Sequence, residues 1–184
     1  RRFARLVQPY ASVDERFDFG DGWSARPSLG ARYFEHSIFD DELAPQAGLV
    51  VDGAGCEFHA SAARGVNYPG FYVMAYPPGD NRNQELEAEK INHFEVGVSR
   101  GFGSFIKVEL TGFRDQGHDR IVLSYPPYPP VWKNIGTYRT DGVEAAVTVK
   151  PSSSMSLFGG VTAMRATPGD LPYVPKAAAS VGFN

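Results

Sequence analysis

From Trp23 to Tyr33 every second residue is apolar: Trp23, Ala25, Pro27, Leu29, Ala31 and Tyr33. Between them stand Ser24, Arg26, Ser28, Gly30 and Arg32. A period of two puts one set on each face of an extended strand. The same two-faced run recurs about nine times along the chain, with no repeat of the sequence itself. Val7, Pro9, Ala11 and Val13 make the first run; Ala47, Leu49 and Val51 the third; Cys56, Phe58, Ala60 and Ala62 the fourth. Phe94, Val96 and Val98 follow, opposed by His93, Glu95, Gly97 and Ser99, and then Ile106, Val108 and Leu110. Val143 to Val149, Met155 to Ala163 and Ala177 to Phe183 complete the set. With 20 Gly, 14 Pro and a large share of Phe and Tyr, the chain reads as all-β: an antiparallel meander of many short-turned strands.

The connections carry a second signal because they alternate short and long. FGDGW (19–23), VDGAG (51–55), SRGFGS (99–104) and KPSSS (150–154) are short; EHSIFDDELAP and the stretches 64–90, 115–133 and 165–176 are long. Tight turns at one end and long loops at the other is the pattern of an outer-membrane barrel. No apolar run approaches the ~20 residues of a spanning helix, which leaves barrels untouched because their segments are ~10 residues of alternation. Trp23 and Tyr33 stand ten residues apart. At ~3.3 Å per residue and ~45° tilt they are separated by roughly 23 Å of height, near the ~25 Å apolar band between aromatic girdles. Asp141, two residues before Val143 on the apolar side, is the awkward charge, and a projecting strand or a bulge near Gly136 or Gly142 is expected to accommodate it.

The opposite face carries Arg26, Arg32, Glu57, His59, His93, Glu95, Lys107, Glu109 and Glu144. A soluble or periplasmic barrel that binds a small molecule would turn the apolar face inward, and the alternation alone admits that inverted reading. The apolar faces, rich in Ala, Val and Gly, suit lipid better than a packed core. A net charge of -3 and a pI near 5.8 give no basic footprint, so nucleic acid is not an expected partner. One cysteine, Cys56, and four scattered histidines give neither a disulfide pair nor zinc-site spacing. No G-x-S-x-G elbow occurs, so no enzyme is expected. RRFARLV shows no signal-peptide core; the signal was removed, or the chain is a piece of something longer.

Several segments, in order, resemble the barrel of TonB-dependent outer-membrane receptors. Gln84, Glu85, Leu86, Glu87, Ala88, Glu89 and Lys90, followed by Phe94 to Gly97, are similar to that family's loop-into-strand signature, with Ala88 where a proline is common. Three further segments resemble strands of the family: SARPSLGARYFEH (24–36) the strand ending in Gly-x-Arg-Tyr, the region 44–70 a Pro-x-Ala-Gly-Leu strand and an Arg-Gly-x-x-x-Pro strand exit, and NIGTYRTDGVEAAV (134–147) the Asn-x-Gly…Gly-Val-Glu strand. The resemblance implies a transport protein of the bacterial outer membrane, a segment of a receptor that takes up a ferric siderophore, haem, cobalamin or a similar scarce ligand. Outer-membrane lipid would surround it, and the TonB complex would act only through a plug domain that these residues do not include. The whole of 1–184 is expected to be a single β-barrel region, partial beside the family's barrel of about 22 strands. Its first and last strands both run inward, so the sheet is not expected to close by itself.

Candidate ligand-binding residues fall in the long loops and on the inner wall. Tyr68 and Tyr72, with Phe71 and Tyr76 beside them, Tyr125 and Tyr128 in YPPYPP, and Trp132 offer aromatic surface at the extracellular mouth; Arg32 offers a cation on the lumen side. Glu57 with His59, and His93 with Glu95, face the lumen on consecutive strands, where a wet wall is the expected reading ahead of a metal site. His36 and His118 lie in or beside long loops, where they would reach haem iron in a haem receptor. No cofactor is expected.

Overall fold

The computed structural model describes residues 4–75, 86–126, 128–169 and 174–184. Tyr76, Gln84, Glu85 and Pro127 lie outside the described residues. The first rung is broken into Leu6–Val7 (β1), Tyr10–Asp14 (β2) and Phe17–Gly20 (β3), all paired to Trp23–His36 (β4). Glu42–Gly53 (β5), Cys56–Asn67 (β6), Glu89–Phe102 (β7) and Ile106–His118 (β8) follow, then Arg120–Ser124 (β9), Val131–Ile135 (β10), Tyr138–Ser152 (β11), Met155–Thr167 (β12) and Ala177–Phe183 (β13). A short helix, Phe71–Ala75 (α1), lies in the loop after β6. All pairing is antiparallel, and the main sheet runs β1-β4-β5-β6-β7-β8-β11-β12-β13, with β2 and β3 also on β4. Among the described residues no pairing joins β13 to the first rung, so the meander stays open at both edges.

The register places the faces as the alternation requires. Leu29 pairs with Ala47, Phe58 with Val98, and Val143 with Ala163, so the apolar sets form one continuous face. That face is outermost: Leu29 is 62% and Val96 63% exposed. The buried hydrophobics among the described residues are Phe34, Ala44, Leu86 and Ala88, near the long-loop end, which is too little for a soluble core. The inverted barrel, with its apolar residues sealed inside, is therefore not what these residues form. Trp23, Phe17, Phe102 and Phe183 ring the short-turn end of the outer face, and Tyr33 and Phe94 mark the upper end.

Backbone chemistry explains the turns. Asp21 and Gly22, and likewise Ala54 and Gly55, all have positive φ and join strands through two-residue loops, the type I′ geometry that matches strand twist. At Gly53 the Trp23 ring lies where a Cβ would stand, so glycine lets the girdle indole lie flat on the sheet.

Two expectations are corrected. The long connections contain much strand: β6 continues to Asn67, β8 to His118, β11 starts at Tyr138, and β9 and β10 form a hairpin inside the stretch 115–133 read as loop and just beyond it. The pairing of Val131 with Ser124 through Ile135 with Arg120 continues the β8–β11 register, in which Tyr138 pairs with Gly117. There apolar residues fall on both faces, Ile121, Val122 and Leu123 in succession, so the period of two disappears while backbone pairing persists. No bulge stands at Gly142; the register runs unbroken from Arg139 to Val149. Asp141 is instead held by Arg114 at 2.5 Å and Arg139 at 2.9 Å on the same face.

Candidate ligand-binding mouth

Three groups of side chains gather at the long-loop end. In the first, Tyr68 stacks on His36 with ring centroids 4.6 Å apart and on Phe39 at 5.8 Å, with Phe34 tilted against it at 6.2 Å. Its hydroxyl donates to the Asp40 carbonyl at 2.9 Å. Burial, reinforced by the Glu42, Asp41 and Asp40 carboxylates, pushes the phenol up to about 12, so it stays a donor. His36 Nδ1 accepts the backbone N–H groups of Ile38 and Phe39 at 3.1 and 3.2 Å. Asp41 accepts the Tyr33 hydroxyl at 2.6 Å and the His36 N–H at 3.1 Å, which together hold its carboxyl below the usual range. The connection 37–41 is thus fastened, and His36 is committed to it through Nδ1.

The second group surrounds the β9–β10 hairpin. Trp132 meets the edge of Tyr72 at 6.5 Å and 82°, which joins α1 to the hairpin. The Trp132 indole nitrogen is buried with no hydrogen-bond partner among the described residues. Tyr125 and Tyr128, at the hairpin tip, are 72% and 86% exposed. Asn134 anchors the hairpin base: its Oδ1 accepts the Glu87 N–H at 2.9 Å, and its Nδ2 donates to the Glu87 carbonyl at 3.0 Å and the Asp119 carbonyl at 2.5 Å. Tyr138 donates to Glu89 at 3.0 Å, and its ring lies over Gly117 with the Arg120 guanidinium 5.4 Å from its centroid. The segments 86–90 and 134–147, which belong to separate resemblances in the sequence, therefore meet in space.

The third group lies on the inner wall. Arg32 sits 5.6 Å from the centroid of Tyr10 and donates to Gln8 at 3.4 Å, and Gln46 donates to the Tyr10 hydroxyl at 2.6 Å. Farther round, His59 approaches Glu95 at 3.3 Å, Glu95 approaches His93 at 3.6 Å, and His93 Nδ1 meets Asp115 at 2.7 Å. This is a chain of polar contacts along the sheet. Among the described residues no three His, Cys, Asp or Glu side chains are grouped to hold a metal ion.

The structure therefore brings Tyr72 and Trp132 together, places Tyr125 and Tyr128 beyond them on the same hairpin, packs Tyr68 into a separate aromatic cluster and sets Arg32 on the lumen wall. Sequence reading missed Asn134, Glu87 and Asp115 as participants. The alternation alone puts Asp115 in a loop, although Lys107, Glu109, Thr111, Phe113 and Asp115 continue one face of β8.

A family model described as TonB dependent receptor-like, beta-barrel, matches residues 7–184. Among solved structures, the siderophore receptor PirA from Pseudomonas aeruginosa superposes with a TM-score of 0.69 at 22% identity, over 89% of this chain and 32% of that one. The ferric enterobactin receptor PfeA, from the same organism, gives a TM-score of 0.74 at 18% identity, over 98% and 30% of the two chains. The copper transporter OprC gives 0.67 at 14% identity, over 98% and 32%. No curated protein matches by sequence. The chain spans about a third of the length of these receptors, and at such identities they show a shared fold. With an open meander of outward apolar faces and a match over nearly its whole length, the chain belongs to the TonB-dependent receptor family, as part of its β-barrel.

Proposed function

We propose that this chain is part of the wall and extracellular mouth of a bacterial outer-membrane importer for a scarce ligand of the ferric siderophore, haem or cobalamin kind. The observation that carries the proposal is the aromatic mouth of a family barrel: Tyr72 against Trp132, with Tyr125 and Tyr128 exposed beyond them on one hairpin. Such rings give a large, stiff contact area at low entropic cost. Arg32 on the wall below supplies a cation for an anionic chelate leaving the mouth, and Tyr68 holds the neighbouring loop in place. A ferric siderophore fits this combination of rings and cation best, and PirA and PfeA are receptors of that type by name. The plug and the energy-coupling complex act through parts of a receptor outside these residues.

Trp132 supplies the probe, because it lies at the mouth whereas Trp23 lies in the lower girdle. In the protein at the length the cell makes it, a ferric catecholate siderophore is expected to quench tryptophan emission saturably, and the part of that quenching lost in Trp132→Phe is the part read at the mouth. Tyr72→Ala is expected to weaken that binding by about tenfold, the effect of losing about 1.4 kcal/mol. Quenching that is absent, or unchanged by Tyr72→Ala and by removal of both Tyr125 and Tyr128, removes the mouth from ligand capture.

A further inference from the structure

The inner wall carries one chain of ion pairs whose only cations are histidines. His59 Nε2 stands 3.3 Å from Glu95 Oε1, His93 Nε2 stands 3.6 Å from Glu95 Oε2, and His93 Nδ1 meets Asp115 Oδ1 at 2.7 Å. The register across β6, β7 and β8 sets these side chains on one diagonal: His59 lies opposite Gly97, Glu95 opposite Ser61 and Phe113, and His93 opposite Asp115. Gly97 opens the path. The His59 ring and the Thr111 hydroxyl crowd the place a Cβ would take there, so a larger residue would push the imidazole away from Glu95. Phe113 lies against Gly142 in the same manner and stacks on His93 at 6.4 Å and 22°, which holds the second ring between its two carboxylates.

The other charged groups of this wall are committed elsewhere. Lys107 pairs with Glu109 at 2.8 Å on β8, and the Ser99 hydroxyl donates to Glu57 of β6 at 3.5 Å. The Thr162 hydroxyl donates to Glu144 of β11 at 3.2 Å, Ser24 to Asp52 of β5 at 3.4 Å, and Tyr138 to Glu89 of β7 at 3.0 Å. On the flanking strands, uncharged Thr140 stands opposite Asp115 and Val50 opposite His59. Among the described residues no Lys or Arg pairs with Glu95 or Asp115. Imidazole is the side chain whose unperturbed charge changes between about pH 5 and 8. A neutral His93 donates through one nitrogen and turns the lone pair of the other toward an anionic oxygen, whereas the imidazolium points a proton at each carboxylate. Protonated, the two histidines cancel Glu95 and Asp115; neutral, they leave both carboxylates bare on a face that already carries Glu57 and Glu144. The chain starts two residues from Gly117, under the Tyr138 ring, and so lies directly below the mouth.

We propose that His59 and His93 form a proton-operated switch for the charge of the lumen wall: protonated, they neutralise Glu95 and Asp115 and admit an anionic chelate from the mouth; neutral, they bare the two carboxylates, which hold such a ligand back. The inference rests on the importer reading above and adds its regulation.

The test follows saturable quenching of tryptophan emission by a ferric catecholate siderophore, in the protein at its cellular length, from about pH 6 to about pH 8. Wild type is expected to bind about tenfold more weakly at the upper end, the smallest effect typical of a charged cleft. E95Q/D115N is expected to bind at the tight level throughout the range. H59Q/H93Q, which keeps His36 and His118, is expected to bind at the weak level throughout. Each variant is compared once its circular dichroism matches that of wild type. A pH response that belongs to the chelate or to other histidines survives in both variants, and that result overturns the switch. So does a flat wild-type profile, or a pair of variants that settle at the same level. In each of these cases Tyr72→Ala still weakens binding if the mouth captures the ligand, so the importer reading stands apart. Absence of saturable binding at every pH would overturn both.

Discussion

Asn134 does with one side chain what a strand does with a neighbour: it accepts the N–H of Glu87 and donates to its carbonyl, then donates again to Asp119. An amide matches a backbone pair because it carries both donor and acceptor on a planar group of the same geometry. Among the described residues the segment 86–88, which precedes β7, pairs with no strand, so this clamp is what satisfies Glu87. Asn134→Ala is expected to destabilise the mouth by about 1–3 kcal/mol, the cost of leaving such groups unpaired. Hydrogen exchange at Glu87 and Ala88 should rise, while exchange in β4 and β5 stays as it was. Protection at Glu87 that is unchanged in the variant would show that the clamp contributes little.

The strands are defined as much by their turns as by their alternation. Asp21–Gly22 has the residues a type I′ turn favours, whereas the second hairpin places Ala54 at φ 52, where a Cβ is crowded by the backbone. Ala54→Asn is expected to stabilise the β5–β6 hairpin by roughly 0.5–1 kcal/mol, since asparagine tolerates this region better. A urea midpoint for the micelle-bound protein that does not rise would count against the turn as a limiting feature. The long-loop ends behave differently. There β8 and β11 run on as the β9–β10 hairpin in one register, broken only around Asp119 and Gly136. The Tyr138 ring over Gly117 lies beside that break, and the Asn134 clamp spans it.

Taken whole, the sheet has a wet face and a greasy one, and the greasy one is outside. Its stability depends on hydrocarbon around it, because the buried apolar residues near the mouth are too few to offset the entropy of ordering the chain. Val96 and its register neighbour Ala60 stand in the apolar band, while Ser61, one position on, faces the other way. Val96→Lys is therefore expected to cost about 2–4 kcal/mol in a bilayer, and Ser61→Lys much less. Equal penalties for the two, measured by folding into vesicles across a urea series, would mean that lipid does not meet the Val96 face.

The sequence by itself determined the all-β meander, which side chains share a face, the sorting of tight turns from long connections, and the family. These follow from a local period of two and from turn residues such as Asp21 and Gly22, and a local rule survives without knowledge of neighbours. Only the tertiary structure decided that Asp141 would be neutralised by Arg114 and Arg139, that Asp115 would extend the His59–Glu95–His93 chain, and that Asn134 would hold Glu87. Each of those depends on which residue stands opposite which, and register is set jointly by distant turns and by every strand between them. The hairpin inside the long connection escaped sequence reading for a related reason: Ile121, Val122 and Leu123 in β9 are apolar in succession, so hydrogen-bonded strand leaves no period of two there.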